Sequence, residues 1–464
     1  QGDGKLAALG SAEGGSYGTA RGVVSARGSL DRFDYSVSGS HWSTDGFSAS
    51  SSGSERDPYR NSTVSGRFGW RPDERFAVDG MVRFTDAKVD FDGFAVETGH
   101  HTDASQLLAR VAPRTRFFEG RWDQTLAFGY SHHVRDTKST FPSRVEGSLY
   151  SLDWRNDLHL FEGHRVSLGL EHEWEEAEFS SFDDKRRTLG VYLQDRIRWG
   201  ERVFGTLGLR FDDPSDFEAR LTYRATAGVR IPEWNTILRS SYGTGFKAPS
   251  LSQLNSRAFG GNPDLDPETS EGFDVGLEHT AWEGKVVGAA TFFYNEVDDL
   301  IVAVFDAGSG SFLNFNIDRS RAHGVEATLA IEPVRSLRLT GSYTYTHTEV
   351  QGTPAGFGIT EGSRLLRRPT HKANFEIIWQ FLEGRGELSA NVLYVGNRRD
   401  LDPETFAAVT ADDYTTVGLA GRFDVTDWLE VYARVENLLD EDYEDVLGFS
   451  TAGVSAYGGI RLRY

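Results

Sequence analysis

The sequence has 464 residues, is rich in glycine (51) and in aromatic residues (12%), and contains no cysteine. The lack of cysteine excludes disulfides, thiolate metal sites and a cysteine nucleophile. A net charge of −20 argues against nucleic acid as a partner, because phosphate binding needs a clustered basic face. No apolar run approaches the roughly 20 residues of a transmembrane helix. A polar chain with this composition indicates β-structure.

Alternation of apolar and polar residues predicts strands along almost the whole chain. An even number of strands, about 22, lets the first and last strands pair antiparallel, so that a barrel can close without a free edge. The predicted strands lie near 4–13, 16–29, 31–42, 59–71, 74–88, 102–114, 118–134, 144–158, 163–178, 186–199, 202–214, 217–231, 234–245, 270–281, 284–302, 314–332, 335–350, 367–381, 384–397, 412–424, 428–439 and 453–464.

Two architectures fit this alternation, and strand length separates them. In Arg220–Ile231 the odd positions are all apolar, whereas the even positions carry three arginines. A soluble sandwich would turn the apolar face inward, and a membrane barrel would turn it to lipid. Sandwich strands average about five to six residues, whereas runs of about 11 to 16 residues can cross a bilayer with tilt. The sequence therefore predicts an all-β, transmembrane antiparallel up-and-down barrel that spans residues 1–464 as one domain.

Connection lengths favour the same architecture. Short turns are predicted at Asp157–Gly163, Gly200–Glu201, Pro232–Trp234, Trp282–Gly284, Glu332–Arg335 and Leu382–Gly384. Long polar loops are predicted at Trp42–Asn61, Lys88–Thr102, Phe246–Thr269, Gln351–Arg367 and Asn397–Asp412. Short turns on one rim and long loops on the other are typical of outer-membrane barrels.

Several segments carry family-specific motifs in a consistent order. They are Glu13–Gly22 (EGGSYGTARG), Tyr192–Asp195 (YLQD), Tyr242–Ser250 (YGTGFKAPS), Gly261–Glu268 (GNPDLDPE), Phe293–Ile301 (FYNEVDDLI), Arg368–His371 (RPTH), Val435–Tyr443 (VENLLDEDY) and the terminal Tyr464. With these motifs the sequence resembles the barrel of TonB-dependent outer-membrane receptors over nearly its whole length. Within that family it is most similar to cobalamin (vitamin B12) transporters.

The resemblance implies function and partners. It implies uptake of a large, scarce nutrient, cobalamin-like or iron-siderophore, across a bacterial outer membrane, with no enzymatic activity. The implied partners are outer-membrane lipid and lipopolysaccharide, a plug domain, and TonB acting through that plug. The sequence begins where the family's barrel begins, so we expect the plug and TonB box upstream or on a separate chain. The alternative is a plug-less barrel that acts as a passive pore or as a structural scaffold in an envelope complex.

Two acidic loops are candidates for a calcium site, although solvated acidic loops are common. Ca²⁺ takes six to eight oxygen ligands, often from adjoining loops, and the resembling cobalamin transporters order these two loops with calcium. No other cofactor is required. The candidate ligands are Asp45, Glu55, Asp57, Asp86, Asp90 and Asp92.

Nutrient recognition is expected on the outer loops, because loops on a rigid scaffold carry binding. The predicted ligand-binding residues are Trp42, Phe47, Tyr59, Arg60, Phe91 and Phe94. Alternation also predicts lumen-facing arginines beside lumen carboxylates. This mixed lining would either contact a polar plug or pass a hydrated solute, and the two readings stay open. The lumen-facing arginines are predicted at Arg196, Arg198, Arg210, Arg220, Arg224, Arg230, Arg434, Arg461 and Arg463.

Overall fold

Twenty-two antiparallel strands close into one barrel in the computed structural model of the chain, which describes residues 6–92, 99–180, 182–256, 260–306, 311–352, 360–405 and 407–464. The first strand, Ala7–Gly15, pairs with the last, Ser455–Arg463, with Gly10 opposite Leu462. This pairing leaves the sheet without an open edge. The predicted barrel and its strand number are confirmed, and the described residues form the barrel without a plug.

The strand bounds follow the predicted segments closely. The barrel strands are β1 (Ala7–Gly15), β2 (Thr19–Leu30), β3 (Phe33–Thr44), β4 (Tyr59–Trp70), β5 (Phe76–Asp90), β6 (His101–Phe117), β7 (Trp122–Lys138), β8 (Ser143–Phe161), β9 (His164–Phe179), β10 (Phe182–Trp199), β11 (Val203–Pro214), β12 (Arg220–Ile231), β13 (Thr236–Lys247), β14 (Glu268–Ala281), β15 (Val286–Asp306), β16 (Ser311–Val334), β17 (Leu337–Gln351), β18 (His371–Phe381), β19 (Gly386–Val395), β22 (Tyr414–Asp424), β23 (Leu429–Glu436) and β24 (Ser455–Arg463). A short hairpin, β20 (Arg398–Leu401) with β21 (Ala408–Ala411), lies inside a predicted loop.

Helical structure is sparse. The α-helix α1 (Leu251–Asn255) is five residues long and begins with a capping box in which Ser250 and Gln253 bond each other's backbone N–H groups. The other helical segments among the described residues are single 3₁₀ turns at Ser16–Gly18, Phe118–Gly120, Pro232–Trp234, Trp282–Gly284 and Leu382–Gly384. No helix among the described residues is long and apolar enough to span a membrane.

The two rims of the barrel differ as predicted. At the rim that we call inner, hairpins are short, and three of them share an apolar residue, a glutamate and a glycine that all have positive φ. In one, Trp282 is 72% exposed and Gly284 has φ +91°, a conformation that favours glycine. At the opposite, outer rim, the connections between β3 and β4, between β13 and β14, between β19 and β22 and between β23 and β24 are long, whereas those between β7 and β8 and between β11 and β12 are short. An exposed tryptophan at a strand end suits the interfacial aromatic girdle of a membrane barrel.

The strand faces alternate between lipid and lumen. On β12, Leu221, Tyr223 and Val229 are exposed apolar residues on the outward face, so the pleat directs Arg220 and Arg224 inward. The other predicted arginines also alternate with exposed apolar residues along their strands, so they face the lumen as well. The buried apolar cluster is small and lies under the outer loops, where Leu254, Leu265 and Ile301 pack with Phe217. Most apolar surface therefore faces outward rather than into a core.

Candidate metal centre and ligand-binding mouth

Three of the six predicted calcium ligands meet at the outer rim. Glu55 and Asp57 lie on the loop between β3 and β4, and Asp92 lies on the loop after β5. One carboxylate oxygen from each lies within 4.8 Å of the others, and we call these residues the carboxylate cluster. The Oδ1 atoms of Asp90 and Asp92 are shielded from solvent without a hydrogen-bond partner among the described residues. Oxygen donors converging in this way suit a hard cation such as Ca²⁺.

Backbone amides hold the cluster in place. Ala49 N donates to Asp57 Oδ2 at 2.7 Å, and Ser50 N donates to Asp92 Oδ2 at 2.5 Å. Burial and the nearby charges of Asp92 and Asp90 raise the pKa of Asp57. Burial acts in the same direction on Asp92, but hydrogen bonds from Glu55, Ser50 and Ser48 outweigh it and lower the pKa of Asp92. The negative charges of Asp90 and Asp92 thus disfavour the ionised form of Asp57, and a cation bound among these carboxylates would offset that repulsion.

The other three predicted calcium ligands lie outside the cluster. Asp45 pairs with Arg56 at 3.6 Å and is largely exposed. Asp86 is exposed on β5, opposite Ser62. The charge of Asp90 acts on Asp57, so of these three residues it is the one that interacts with the carboxylate cluster. The Asp90 carboxylate also lies 3.8 Å from Lys88 Nζ.

The predicted ligand-binding aromatic residues fall in different environments. Trp42 and Tyr59 form an edge-to-face pair with ring centroids 4.9 Å apart. The strand register puts both on the lumen face, because Trp42 pairs with Asn61 while its neighbour His41 pairs with the outward Ser62. They stand directly below the loop that carries Glu55 and Asp57.

The remaining predicted ligand-binding residues are more scattered. Phe47 packs on Tyr17 with centroids 5.2 Å apart, and Phe91 packs on His100 at 5.8 Å. Arg60 lies on the outward face, in register with Lys88. Phe94 lies outside the described residues.

The cluster is joined to a second outer loop that sequence reasoning did not connect with it. Ser50 forms a β-bridge with Phe449, supported by Ser51 N donating to Gly448 O at 3.0 Å and Ser450 N donating to Ala49 O at 3.0 Å. The residues whose amides hold Asp57 and Asp92 are therefore the residues that hold the loop between β23 and β24.

A third loop joins this arrangement through two buried charges. The Arg398 guanidinium donates to the backbone oxygens of Asp412, Glu444 and Asp445 and stacks over the Tyr414 ring. The fully buried Asp400 accepts from Leu447 N at 3.0 Å and pairs with Arg367 at 2.9 Å. We call the three connected loops, 45–58, 396–413 and 437–454, the outer cap.

A cavity of about 670 Å³ opens at the mouth of the barrel. None of its lining residues belongs to the three loops of the outer cap. It is lined by polar residues of β7 to β9, among them His133, Arg135, Glu173 and Glu175, and by Leu251 of α1. The His133 ring lies against Gly147, where any Cβ would come within 2.2 Å of it. Sequence reasoning missed this cavity because its wall joins strands and a loop that are distant along the chain.

Arg186 fastens α1 above this cavity. Its guanidinium makes a bidentate pair with Asp216, donates to Pro249 O at 2.8 Å and lies over the Phe217 ring. Asn255, at the end of α1, donates to Asp184. The GNPDLDPE motif also acts in packing, since Ile301 N donates to Glu268 Oε1 at 2.9 Å. This contact gives Glu268 of the motif a structural role.

Comparison with known proteins identifies the family and finds solved structures with the same fold. The family model described as "TonB dependent receptor-like, beta-barrel" matches residues 7–438. Solved structures similar to the chain include the siderophore receptor PirA from Pseudomonas aeruginosa (19% identity, TM-score 0.79), the copper transporter OprC (15%, 0.81) and the ferric enterobactin receptor PfeA from Pseudomonas aeruginosa, crystallised with enterobactin (17%, 0.82). Each match covers 100% of this chain and 81% or 82% of the other chain. At these identities the likeness shows the fold.

Proposed function

The chain belongs to the family of TonB-dependent receptor-like β-barrels, and on that premise we propose that it captures a large, scarce nutrient at a bacterial outer membrane. Family members are outer-membrane receptors and transporters rather than enzymes, and they act with a plug domain and with TonB. The proposed chemistry is recognition and gating by the outer loops. We further propose that lipid and lipopolysaccharide surround the barrel.

The proposed nutrient is cobalamin-like, with an iron-siderophore as the second candidate. The observation that carries the first choice is the carboxylate cluster, which joins the loops above the lumen-facing pair Trp42 and Tyr59. An edge-to-face aromatic pair beneath these loops offers apolar contact to a large ligand. The resemblance to cobalamin transporters points the same way. A siderophore has its support in the neighbouring structures, which are named as siderophore receptors.

We propose that Glu55, Asp57 and Asp92 hold Ca²⁺, with Asp90 as an additional ligand. The Oδ1 atoms of Asp90 and Asp92 fit this role, since they are shielded from solvent and accept no hydrogen bond among the described residues, which is costly for buried polar atoms. A bound cation would relieve the repulsion among the three carboxylates and would hold two loops together. Calcium then supplies loop order rather than chemistry on the nutrient.

The double substitution Asp57→Asn, Asp92→Asn should weaken calcium binding by about tenfold or more, because ligand charge sets affinity in such sites. Isothermal titration of the refolded chain with CaCl₂ measures this directly. Asp86→Asn, Asp103→Asn is the matched control and should bind calcium like the wild type. Unchanged affinity in the first variant would contradict the proposed site.

Nutrient binding gives the second readout. Cyanocobalamin should bind in the presence of calcium, and EGTA or the Asp57→Asn, Asp92→Asn change should weaken it. Binding of ferric enterobactin instead, with no response to cyanocobalamin, would reassign the nutrient to the siderophore class. Binding of neither, with ion conductance through the reconstituted barrel, would support the passive-pore alternative.

The plug is proposed as the barrel's main polypeptide partner, either encoded upstream or supplied as a separate chain. Native mass spectrometry of the complex, extracted gently from its own outer membrane, tests this. A plug on the same or a second chain supports coupled uptake. A barrel found only with unrelated envelope proteins would support the scaffold alternative.

A further inference from the structure

Two histidines face each other across strands β16 and β17 on the outward face of the barrel. His323 and His347 are directly opposite in the strand register, and their ring centroids lie 5.1 Å apart. Their direction follows from the pleat, because Val325 and Leu329, which have the same parity as His323, are exposed apolar residues of the outward face. We call His323 and His347 the histidine pair.

The histidine pair lies where the apolar outward face of these strands ends. On β16, Val325 lies one outward position below His323, and Arg321 lies one outward position above it, toward the outer rim. Arg321 is in register with Glu349 of β17, so charged residues stand directly above the pair. The apolar band of a membrane barrel ends in an interface on each side. The pair therefore lies at the outer interface, where an ion can reach it from water.

The imidazole nitrogens of the pair are not engaged by other side chains. His323 Nδ1 is shielded from solvent without a hydrogen bond, and neither imidazole forms a hydrogen bond or an ion pair among the described residues. The polar groups beside the pair are satisfied elsewhere. The Tyr294 hydroxyl donates to Glu296 Oε2 at 2.8 Å, and Arg321 pairs with Glu296 at 3.1 Å. The ring nitrogens are therefore available to a ligand.

Two other outward histidines have a hydroxyl group where the pair has a second imidazole. His41 Nδ1 is hydrogen-bonded to Ser62 Oγ at 2.9 Å, and His132 Nδ1 is hydrogen-bonded to Ser148 Oγ at 3.0 Å. In both cases the serine is directly opposite the histidine in the strand register. These two positions resemble the pair in their outward direction and differ from it in the opposing group, so they supply a matched control.

We propose that the histidine pair binds a divalent transition-metal ion of the class that prefers imidazole ligands, with Zn²⁺ as the best fit. Zn²⁺ takes imidazole nitrogens at about 2.0–2.1 Å in tetrahedral geometry, and two such ligands place their ring centroids about 5 Å apart. The observed separation of 5.1 Å matches this arrangement, so the strands need not move. Glu349 has no ion pair among the described residues and adds a negative charge near the site.

A metal bound here would hold the outer halves of two long strands together. The chain joins β16 to β17 at the inner rim, through the short turn between Val334 and Leu337. The histidine pair lies far along both strands from that turn, so a shared ion would fasten the ends that the turn leaves apart. The inference goes beyond the proposed nutrient and calcium sites, because it concerns nitrogen ligands on the outward face, whereas hard cations such as Ca²⁺ prefer oxygen.

Isothermal titration of the refolded 464-residue chain with ZnCl₂, in excess CaCl₂ to occupy oxygen sites, tests the proposal. We expect His323→Gln, His347→Gln to weaken zinc binding by about tenfold or more, because loss of even an outer-shell partner of a metal site costs about that much. The matched control, His41→Gln, His132→Gln, removes the same two side chains from the outward face and should bind zinc like the wild type.

Electron paramagnetic resonance of the chain loaded with Cu²⁺ gives an independent readout. The spectrum should show two coordinated nitrogens in the wild type and one in His347→Gln, which also serves if the double variant fails to refold. Unchanged zinc affinity in the double variant, or an equal loss in the control, would overturn the proposal. Loss of zinc binding in Asp57→Asn, Asp92→Asn would place the ion at the carboxylate cluster instead. Cyanocobalamin and calcium binding are measured separately and can fail without altering this result.

Discussion

Replacing Glu430 by glutamine is expected to lower the free energy of unfolding by about 3 kcal/mol, at the low end for breaking a buried ion pair. Glu430 is 1% exposed on β23 and accepts from Arg461 at 2.6 Å and from Arg463, while Arg422 lies 3.8 Å away. Without its carboxylate, the arginines of β24 lose their shared partner. The expected loss of stability stays at this low end because Arg461 and Arg463 are partly exposed. Equilibrium urea unfolding of the refolded barrel, followed by tryptophan fluorescence, measures the change.

The effect is expected to be large because of where the network lies. Glu430 joins β22, β23 and β24, and β24 completes the barrel by pairing with β1. Glu233→Gln is the control, because its pair with Arg202 is exposed at a turn of the inner rim. Exposed pairs contribute at most about 1 kcal/mol. Equal changes in the unfolding free energy of the two variants would show that neither burial nor a position near the β1–β24 closure increases the effect.

Replacing Arg398 by alanine is expected to release the outer cap. The Arg398 side chain is 2% exposed and satisfies three backbone carbonyls, so its removal leaves buried acceptors without donors. Each unsatisfied group costs about 1–3 kcal/mol. Amide hydrogen exchange in 437–454 should therefore accelerate at least tenfold, as measured by mass spectrometry.

The same experiment shows whether the cap acts as a unit. Because Ser50 bridges Phe449, exchange in 48–52 should also rise, whereas the inner-rim turns should not change. Arg368→Ala is the control, since among the described residues the side chain of this exposed arginine donates only to the neighbouring Arg367 O. Acceleration confined to 396–413 would contradict the coupling of the three loops. A general increase throughout the barrel would indicate lost stability rather than a released cap.

The barrel itself was accessible from sequence because its signal is local. In a stretch such as Arg220–Ile231, alternation specifies both the strand and the face of each residue, whatever its neighbours are. Closure followed from an even strand number. The β20–β21 hairpin was missed because each strand has four residues, too few for a periodic pattern.

The candidate site was accessible only in part. Composition identified acidic loops, but nothing local distinguishes Asp57, which joins the cluster, from Asp45, which pairs with Arg56. The sequence predicts Trp42 and Arg60 alike as ligand-binding residues, but the register directs Trp42 into the lumen beside Tyr59 and Arg60 to the outward face. Register between strands is set by the pairing of both, and so a single strand does not contain it.

The sequence by itself determined the β-barrel, its strand number, the lipid and lumen faces of each strand and the family to which the chain belongs. These follow from periodicity and from short motifs, which are properties of contiguous residues. Only the tertiary structure decided which carboxylates converge, that Arg398 and Asp400 connect distant loops, and that Arg210 bridges Glu171 and Asp212. Each of these depends on contacts between segments tens or hundreds of residues apart, and barrel closure alone brings those segments together.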